Sequence, residues 1–363
     1  MGRRIFIVAG DRSGDIHAAR LMHALRERES AVEFVGIGGP SMVEAGLQTI
    51  VPFETMNVSG FWEVLRRLGT LRGVLDMTKE YAQATRFDAF IPVDYPGFNL
   101  QLARWFRAHG IPVLWYIAPQ LWAWGAWRAR RLVEAVDRLF VVFPFEVEFF
   151  QRAGIETEWY GHPLLDNPAY AQEPTGAKNP NLVALLPGTR PHERKLHLPL
   201  LLNVARRLRQ RYQHLQFVVA TARPASMPAT PWLQFTTNVE QLLLEAHLAV
   251  IKAGTSTLES LLAGTPQVVI YRASLGTYLA GRMLVRIPFV ALPNIIAGQK
   301  IIPEVVQWSG NIRRIEQQVE GLLANSEEQE RQRHAARHIR SLLGGSGASQ
   351  RIADRMLELL GRR

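Results

Sequence analysis

The 363-residue chain contains no cysteine. This excludes disulfides, thiolate nucleophiles and cysteine-ligated zinc or iron–sulfur centres, and is compatible with a reducing compartment. No stretch of about 18 uninterrupted apolar residues occurs, so no membrane-spanning helix is predicted. The histidines show neither HExxH nor another clustered ligand spacing, and no metal site is expected. Zinc-finger spacing and RNP-like strands are also missing, so nucleic acid is not the expected partner. The opening MGRRIFIVAG is basic and briefly apolar, but Asp11, Asp15 and a helical pattern follow without a small-residue cleavage signal. It reads as a first core strand, not a secretory signal. Acidic residues are the scarcer charge, 32 against 42 basic ones, for a formal net charge of +10. That balance favours an anionic partner such as a phosphorylated substrate or acidic lipid; an ordinary arginine-rich surface is the plain alternative.

What is present is apolar residue in quantity, 47% of the chain, enough for two cores at roughly 100 to 200 residues each. In the first half, Ile5 to Ala9, Val32 to Ile37, Ala89 to Val93, Val113 to Ile117 and Leu139 to Phe143 read as strands. Helical patterns, including Ile16 to Arg28 and Leu100 to His109, fill the intervals. Near-continuous apolar strands alternating with helices predict a parallel sheet covered on both faces. After Gly161-His162-Pro163, the segment Asn167 to Asn181 reads as a linker. Strands at Leu182 to Leu186, Gln216 to Ala220, Leu248 to Ile251 and Gln267 to Tyr271 predict a second α/β domain. The tail from Glu327 is helical in composition, broken at Gly344-Gly345-Ser346-Gly347, and ends in an apolar-striped helix from Ile352 to Leu360. The expected division is 1–166, 167–343, and a terminal helix in 344–363 that can pack back on the first domain.

Several strand ends carry residues suited to chemistry. LVALLPGTR places Gly188, Thr189 and Arg190 where a strand opens into a turn, and Gly254-Thr255-Ser256-Thr257-Leu258-Glu259 repeats that strand-to-helix geometry. Together they read as two sides of a diphosphate and ribose pocket. Arg190 can donate two hydrogen bonds to phosphate oxygens, or be a surface arginine with Glu193 and Arg194 in a helix-start pattern. Glu259 can bind ribose or reach back to Ser256 in a capping box. Asp94, in Asp94-Tyr95-Pro96-Gly97-Phe98-Asn99, is placed as a general base or is an ordinary turn residue, and Asn99 can cap a helix beginning at Leu100. Gly10, Asp11, Ser13 and Gly14 form a βα loop that can approach a ligand, or a tight turn capped by Ser13 or Asp15. It has neither the GxGxxG spacing nor the phosphate-loop lysine.

Gln120 and Trp122 lie in a tryptophan-rich stretch from Trp115 to Trp127, suited to stacking on sugars, lipid contact or core packing. Arg128, Arg130 and Arg131 follow it. His162 reads as a hinge or site residue. From Val58 to Leu75, Phe61, Trp62, Leu65, Leu68 and Leu71 make an apolar helical stripe flanked by Arg66, Arg67 and Arg72. That pattern suits an anionic bilayer surface or an acyl groove, with burial against the first domain as the alternative.

VAGDRSGD, GFWEVL, DYPGFN, PQLWAW, GHPLLD, LLPGTR, AGTSTLE and LPNIIAG occur in an order and spacing that resembles the bacterial lipid A disaccharide synthases over nearly the full length. The resemblance implies a GT-B glycosyltransferase with two Rossmann-like domains around an interdomain cleft. It implies inverting transfer of 2,3-diacylglucosamine from its UDP derivative to the 6-hydroxyl of 2,3-diacylglucosamine 1-phosphate (lipid X). The products are a β-1,6-linked disaccharide 1-phosphate and UDP. The UDP-sugar is a substrate; no cofactor or metal is implied. Asp94 matches the family's proposed base, Arg190 holds the diphosphate, Glu259 and nearby amides hold the nucleotide, and Asn294 positions the donor. Asp11 and Gly97 depart from the family's usual residues, the second leaving no paired carboxylate. The implied location is cytoplasmic, peripheral on the anionic inner face of the inner membrane, with a homodimer as an open alternative.

Overall fold

Short apolar runs become the inner strands of two parallel sheets. The computed structural model describes residues 2–56, 61–123, 125–221, 229–272, 288–306 and 312–361, and side chains only from residue 69 onward within the helix Phe61–Ala84. The first sheet comprises β1 (Arg4–Ala9), β2 (Glu33–Ile37), β3 (Leu47–Thr49), β4 (Ala89–Val93), β5 (Leu114–Tyr116), β6 (Arg138–Val141) and β7 (Thr157–Trp159), in spatial order β3-β2-β1-β4-β5-β6-β7. The second comprises β8 (Asn179–Leu186), β9 (Gln216–Ala220), β10 (Leu233–Thr236), β11 (Ala246–Lys252), β12 (Gln267–Tyr271) and β13 (Glu304–Val306), in order β10-β9-β8-β11-β12-β13. Both are doubly wound, reversing direction at β1/β4 and at β8/β11. In such sheets the crevice outside the carboxyl ends at the reversal receives ligands.

The chain divides into two compact units, Met1–Asp166 with Leu343–Arg363, and Asn167–Leu342. Successive side chains of β1 point to opposite faces, as strand geometry requires. Phe6 and Val8 join one core cluster, with Phe90, Phe106 and Trp115. Ile5, Ile7 and Ala9 join the other, with Leu21, Leu25, Ile91 and Tyr116. The latter is sealed partly by the terminal helix Ala348–Gly361, whose Ile352, Ala353 and Met356 are fully buried in it. Arg28 on the helix Arg12–Arg28 meets Asp354 at 2.5 Å, and Arg355 meets Glu158 at 2.9 Å. The second unit has its own core around Val183, Leu185, Phe217, Val250 and Ile270. The linker-like stretch after Asn167 includes a short helix, Pro168–Ala171. It also includes Lys178, whose ammonium donates to the carbonyls of Leu243, Leu244 and Ala263 and to the Thr265 hydroxyl. Among the described residues, no helix is long and apolar enough to cross a membrane.

Candidate active site

In the first unit, the loops after β1 and β4 meet at the sheet reversal, where Ala9 pairs with Val93. Asp11 accepts from the Gly14 amide at 2.9 Å and is the N-cap of the helix Arg12–Arg28. The expected cap, Ser13 or Asp15, is therefore corrected. Ser13 lies inside the helix, and Asp15 is buried, accepting from the amides of Ser41 and Met42. Gly10 has a reason apart from ligand approach: a Cβ there would lie 2.3 Å from the Tyr95 ring.

Asp94 and Tyr95 adopt left-handed backbone, φ 44° and 50°, and the helix Pro96–Ala108 begins directly after them. Ile117, at the neighbouring end of β5, has φ 62°. These are the positive-φ non-glycine residues among those described, and all lie at the carboxyl edge of the first sheet. Such conformations cost of order 1–3 kcal/mol each and persist where surrounding structure enforces them. Asn99 helps to enforce this one. It is not the cap of a helix starting at Leu100 but sits buried inside Pro96–Ala108. Its amide donates to the carbonyls of Val8, Val93 and Asp94, at 3.4, 3.3 and 2.8 Å.

The Trp122 indole donates at 2.8 Å to Glu146, which is fully buried and also accepts from the amides of Val142 and Phe143. Burial, reinforced by the nearby charge of Asp94, pushes Glu146 up to about 7 against these hydrogen bonds. Gln120 is exposed. His162 is buried, accepting at Nδ1 from the Leu164 amide, with His17 beside it at a ring separation of 6.3 Å. Burial lowers both imidazoles to about 3, so His162 is an uncharged packing group rather than a base near neutral pH. Of the proposed membrane face, Arg72 is exposed while Leu71 packs against the core of the first unit, as the alternative of burial has it; Phe61, Trp62, Leu65, Arg66, Arg67 and Leu68 lie outside the described side chains. A depression of about 520 Å³ lined by Arg86, Asp88, Trp105 and His109 lies at the opposite, amino edge of this sheet, away from Asp94.

In the second unit the corresponding reversal pairs Leu186 with Ile251. Gly188 has φ 106°, and a Cβ there would stand 2.5 Å from the Glu193 carboxylate. Only glycine fits that turn without strain. Glu193, buried at the start of the helix Pro191–Arg211, forms an ion pair with Lys252 at 2.7 Å and lies 3.5 Å from the Arg190 guanidinium. Burial alone would raise Glu193, but Lys252 and Arg190 hold it below the ordinary carboxylate range. His197 bonds the Glu193 carbonyl at 2.8 Å and accepts the Arg272 amide at 3.1 Å. Arg190, Lys252 and Arg272 thus follow or end adjacent strands, and the first two share the Glu193 carboxylate.

Gly254, Thr255, Ser256 and Glu259 follow β11. The helix Ser256–Leu262 has Thr255 at its N-cap position without a side-chain cap bond, so Ser256 lies inside the helix and not at the cap position that the alternative reading of Glu259 requires. Thr189 and Glu259 are at the same carboxyl edge as Arg190. Asn294 is fully buried: it accepts from the amides of Ile301 and Ile302 and donates to Ile302 and Glu304. Its amide holds its own loop, not an open site. Lys252 and Glu146 were not singled out in the sequence, because each acquires meaning only from partners 59 and 24 positions away. Among the described residues, no group of three His, Cys, Asp or Glu side chains could hold a metal ion.

A family model described as lipid-A-disaccharide synthetase matches residues 5–354. The lipid-A-disaccharide synthase of Anaeromyxobacter sp. (strain K) is 38% identical, covering 98% of this chain and 97% of the relative. That of Geobacter sulfurreducens is 36% identical, covering 99% and 98%. Among solved structures, the glycotransferase of kitacinnamycin superposes with a TM-score of 0.66 at 16% identity, covering 99% of both chains. The UDP-GlcNAc 2-epimerase from Neisseria meningitidis bound to UDP-GlcNAc gives 0.64 at 11%, covering 99% and 100%. These structures establish the shared fold, two parallel-sheet α/β domains of GT-B type.

Proposed function

The chain belongs to the lipid-A-disaccharide synthetase family, and from that premise we propose how its two sheet edges divide the reaction. The enzyme transfers 2,3-diacylglucosamine from UDP-2,3-diacylglucosamine to the 6-hydroxyl of lipid X, giving the β-1,6-linked disaccharide 1-phosphate and UDP. One observation carries the assignment of roles: in each unit the candidate residues lie at the carboxyl ends of the two strands where the sheet order reverses.

Asp94 accepts the proton of the acceptor 6-hydroxyl as its oxygen attacks the anomeric carbon. The bond from that carbon to the β-phosphate oxygen breaks, UDP leaves from the opposite side, and the α-linked donor yields a β-linked product. Arg190 and Lys252, tied to the common carboxylate of Glu193, neutralise charge developing on the departing diphosphate. The Gly254-Thr255-Ser256 loop and Glu259 hold the nucleotide, Glu259 toward the ribose. The residues present can carry the leaving-group charge without recruiting a metal.

The acyl chains imply work at a membrane surface, and two features support it. Arg72 is exposed on the helix Phe61–Ala84. Trp127 is 60% exposed, with Arg128 and Arg131 over its ring at 5.3 and 5.0 Å. An indole flanked by guanidiniums suits the headgroup region of an anionic bilayer. The protein then acts peripherally on the inner face of the inner membrane.

The test is to incubate purified protein in detergent with UDP-2,3-diacylglucosamine and lipid X, following UDP and disaccharide 1-phosphate by mass spectrometry. Unacylated UDP-glucosamine serves as the comparison donor. Equal amounts of both products, from the acylated donor alone, are expected. Folded protein that forms no disaccharide, or uses the unacylated donor equally well, refutes the substrate assignment.

A further inference from the structure

Three consecutive loops meet at the carboxyl edge of the first sheet: the β4 loop with Asp94, the β5 loop with Pro119 to Trp122, and the β6 loop with Glu146. A glutamate three residues into a helix ordinarily caps it, and one oxygen of Glu146 does so, accepting from Val142 and Phe143 at 3.2 and 3.0 Å. Capping leaves the other oxygen unexplained. That oxygen accepts the Trp122 indole from a different loop at 2.8 Å, and the carboxylate has no exposed surface. Asp94 is close enough for its charge to act on it. Burying a second carboxylate beside a base has an energetic cost that simple helix capping does not require.

We propose that Glu146 is a positioning residue for the transfer: it fixes the Trp122 loop beside Asp94, and its charge is coupled to that of the base. The proposal rests on the assignment of Asp94 as that base. Protonation of Glu146 on its indole-facing oxygen weakens the hold on Trp122, so loop position and proton occupancy change together. With its affinity for protons near neutrality, Glu146 samples both states at working pH. Among the described residues, the titratable groups behind Phe143 include His162, whose ring lies 5.3 Å from that of Phe143, and His17 beyond it, with the Arg20 charge acting on both. Both imidazoles are uncharged near neutral pH.

Tryptophan fluorescence of the full-length protein, titrated from pH 5 to 9, reads the coupling without reference to turnover. The parent is expected to show a transition centred near 7, absent from both Trp122→Phe and Glu146→Gln. Asp94→Asn, which leaves Glu146 intact, should move the midpoint down by at least about half a pH unit, because a like charge has been removed. That arm remains decisive if Glu146→Gln does not fold. For folded Glu146→Gln, the acid limb of kcat/KM should shift to lower pH, and adding Trp122→Phe should not move that limb further. A midpoint indifferent to Asp94→Asn, or an acid limb unmoved by Glu146→Gln, overturns the proposal. Failure of the parent to form disaccharide would instead strike the functional reading and leave the fluorescence coupling standing.

Discussion

At the residue scale, the left-handed backbone at Asp94 restricts how its role can be tested. Asparagine tolerates that conformation as readily as aspartate, so Asp94→Asn removes the base without relaxing the turn. It should retain the parental thermal midpoint within a few degrees and lower kcat by at least about 100-fold. Arg190→Ala should cost a similar factor by losing stabilisation of the leaving diphosphate. A folded variant with near-parental rate excludes the corresponding role. Gly188→Ala faces both the positive φ and the Glu193 carboxylate 2.5 Å away. It should destabilise the protein by about 1–3 kcal/mol in a denaturant titration and weaken UDP binding in calorimetry; an unchanged UDP affinity would separate the turn from the site. The positions of Asp94 and Arg190 beyond strand ends were legible, because one directly follows an apolar run and the other follows such a run after a Pro-Gly turn. Glu193 was legible as a helix-start residue, and it does accept from the Arg190 amide at the start of Pro191–Arg211; Glu146 and Lys252 were not, because a buried charge is recognised by what surrounds it, and their partners come from other loops.

At the element scale, the strands that sequence patterning missed share one property. β3, β7, β10 and β13 are the outer strands of the two sheets. Each has three or four residues with polar side chains interleaved. An edge strand has a neighbour on one side only and is less buried, so it needs no continuous apolar run. The terminal helix shows a second long-range effect. Asp166 accepts from the amides of Gly347, Ala348 and Ser349 and from the Ser349 hydroxyl, at 2.7, 2.9, 2.8 and 2.5 Å. One carboxylate therefore satisfies the first turn of the helix Ala348–Gly361 and fixes it to the first unit. Asp166→Ala should lower stability by about 2 kcal/mol, within the range of a lost charged cap, and accelerate amide exchange within 348–361. Unchanged protection there would show that the apolar face of the helix suffices.

For the whole molecule, acid stability is set by groups the fold keeps from their ordinary charge. His17 and His162 fall from 6.5 to about 3 through burial, so between those values the native state binds two fewer protons than the unfolded chain. Their contribution is present above about 6.5 and is lost as pH falls through that window. Glu146 works in the opposite sense: raised from 4.5 to about 7, it leaves the native state one proton richer between those values. His197 and His247, also lowered by burial, add to the histidine side, so from pH 6.5 to 4.5 the native state binds at least one proton fewer, and stability should fall by at least about 1.4 kcal/mol per pH unit. His162→Asn keeps an acceptor for the Leu164 amide, removes one histidine from the sum, and should flatten that slope. Urea midpoints across this interval check the sign, and a parent more stable at 4.5 than at 6.5 contradicts it.

By itself the sequence determined the nine inner strands, the helices between them, the excess of positive charge and the placement of Asp94 and Arg190 just beyond strand ends. These are local properties: the periods of strand and helix follow from backbone geometry, and glycine and proline interrupt them within a few residues. Only the tertiary structure decided which loops meet at each sheet reversal, which residues hold the terminal helix on the first unit, and that Glu146 and Glu193 are buried beside other charges. Those outcomes depend on strand order and on contacts between residues far apart in the chain, where the energy of a charged group is set by its surroundings rather than by its neighbours in sequence.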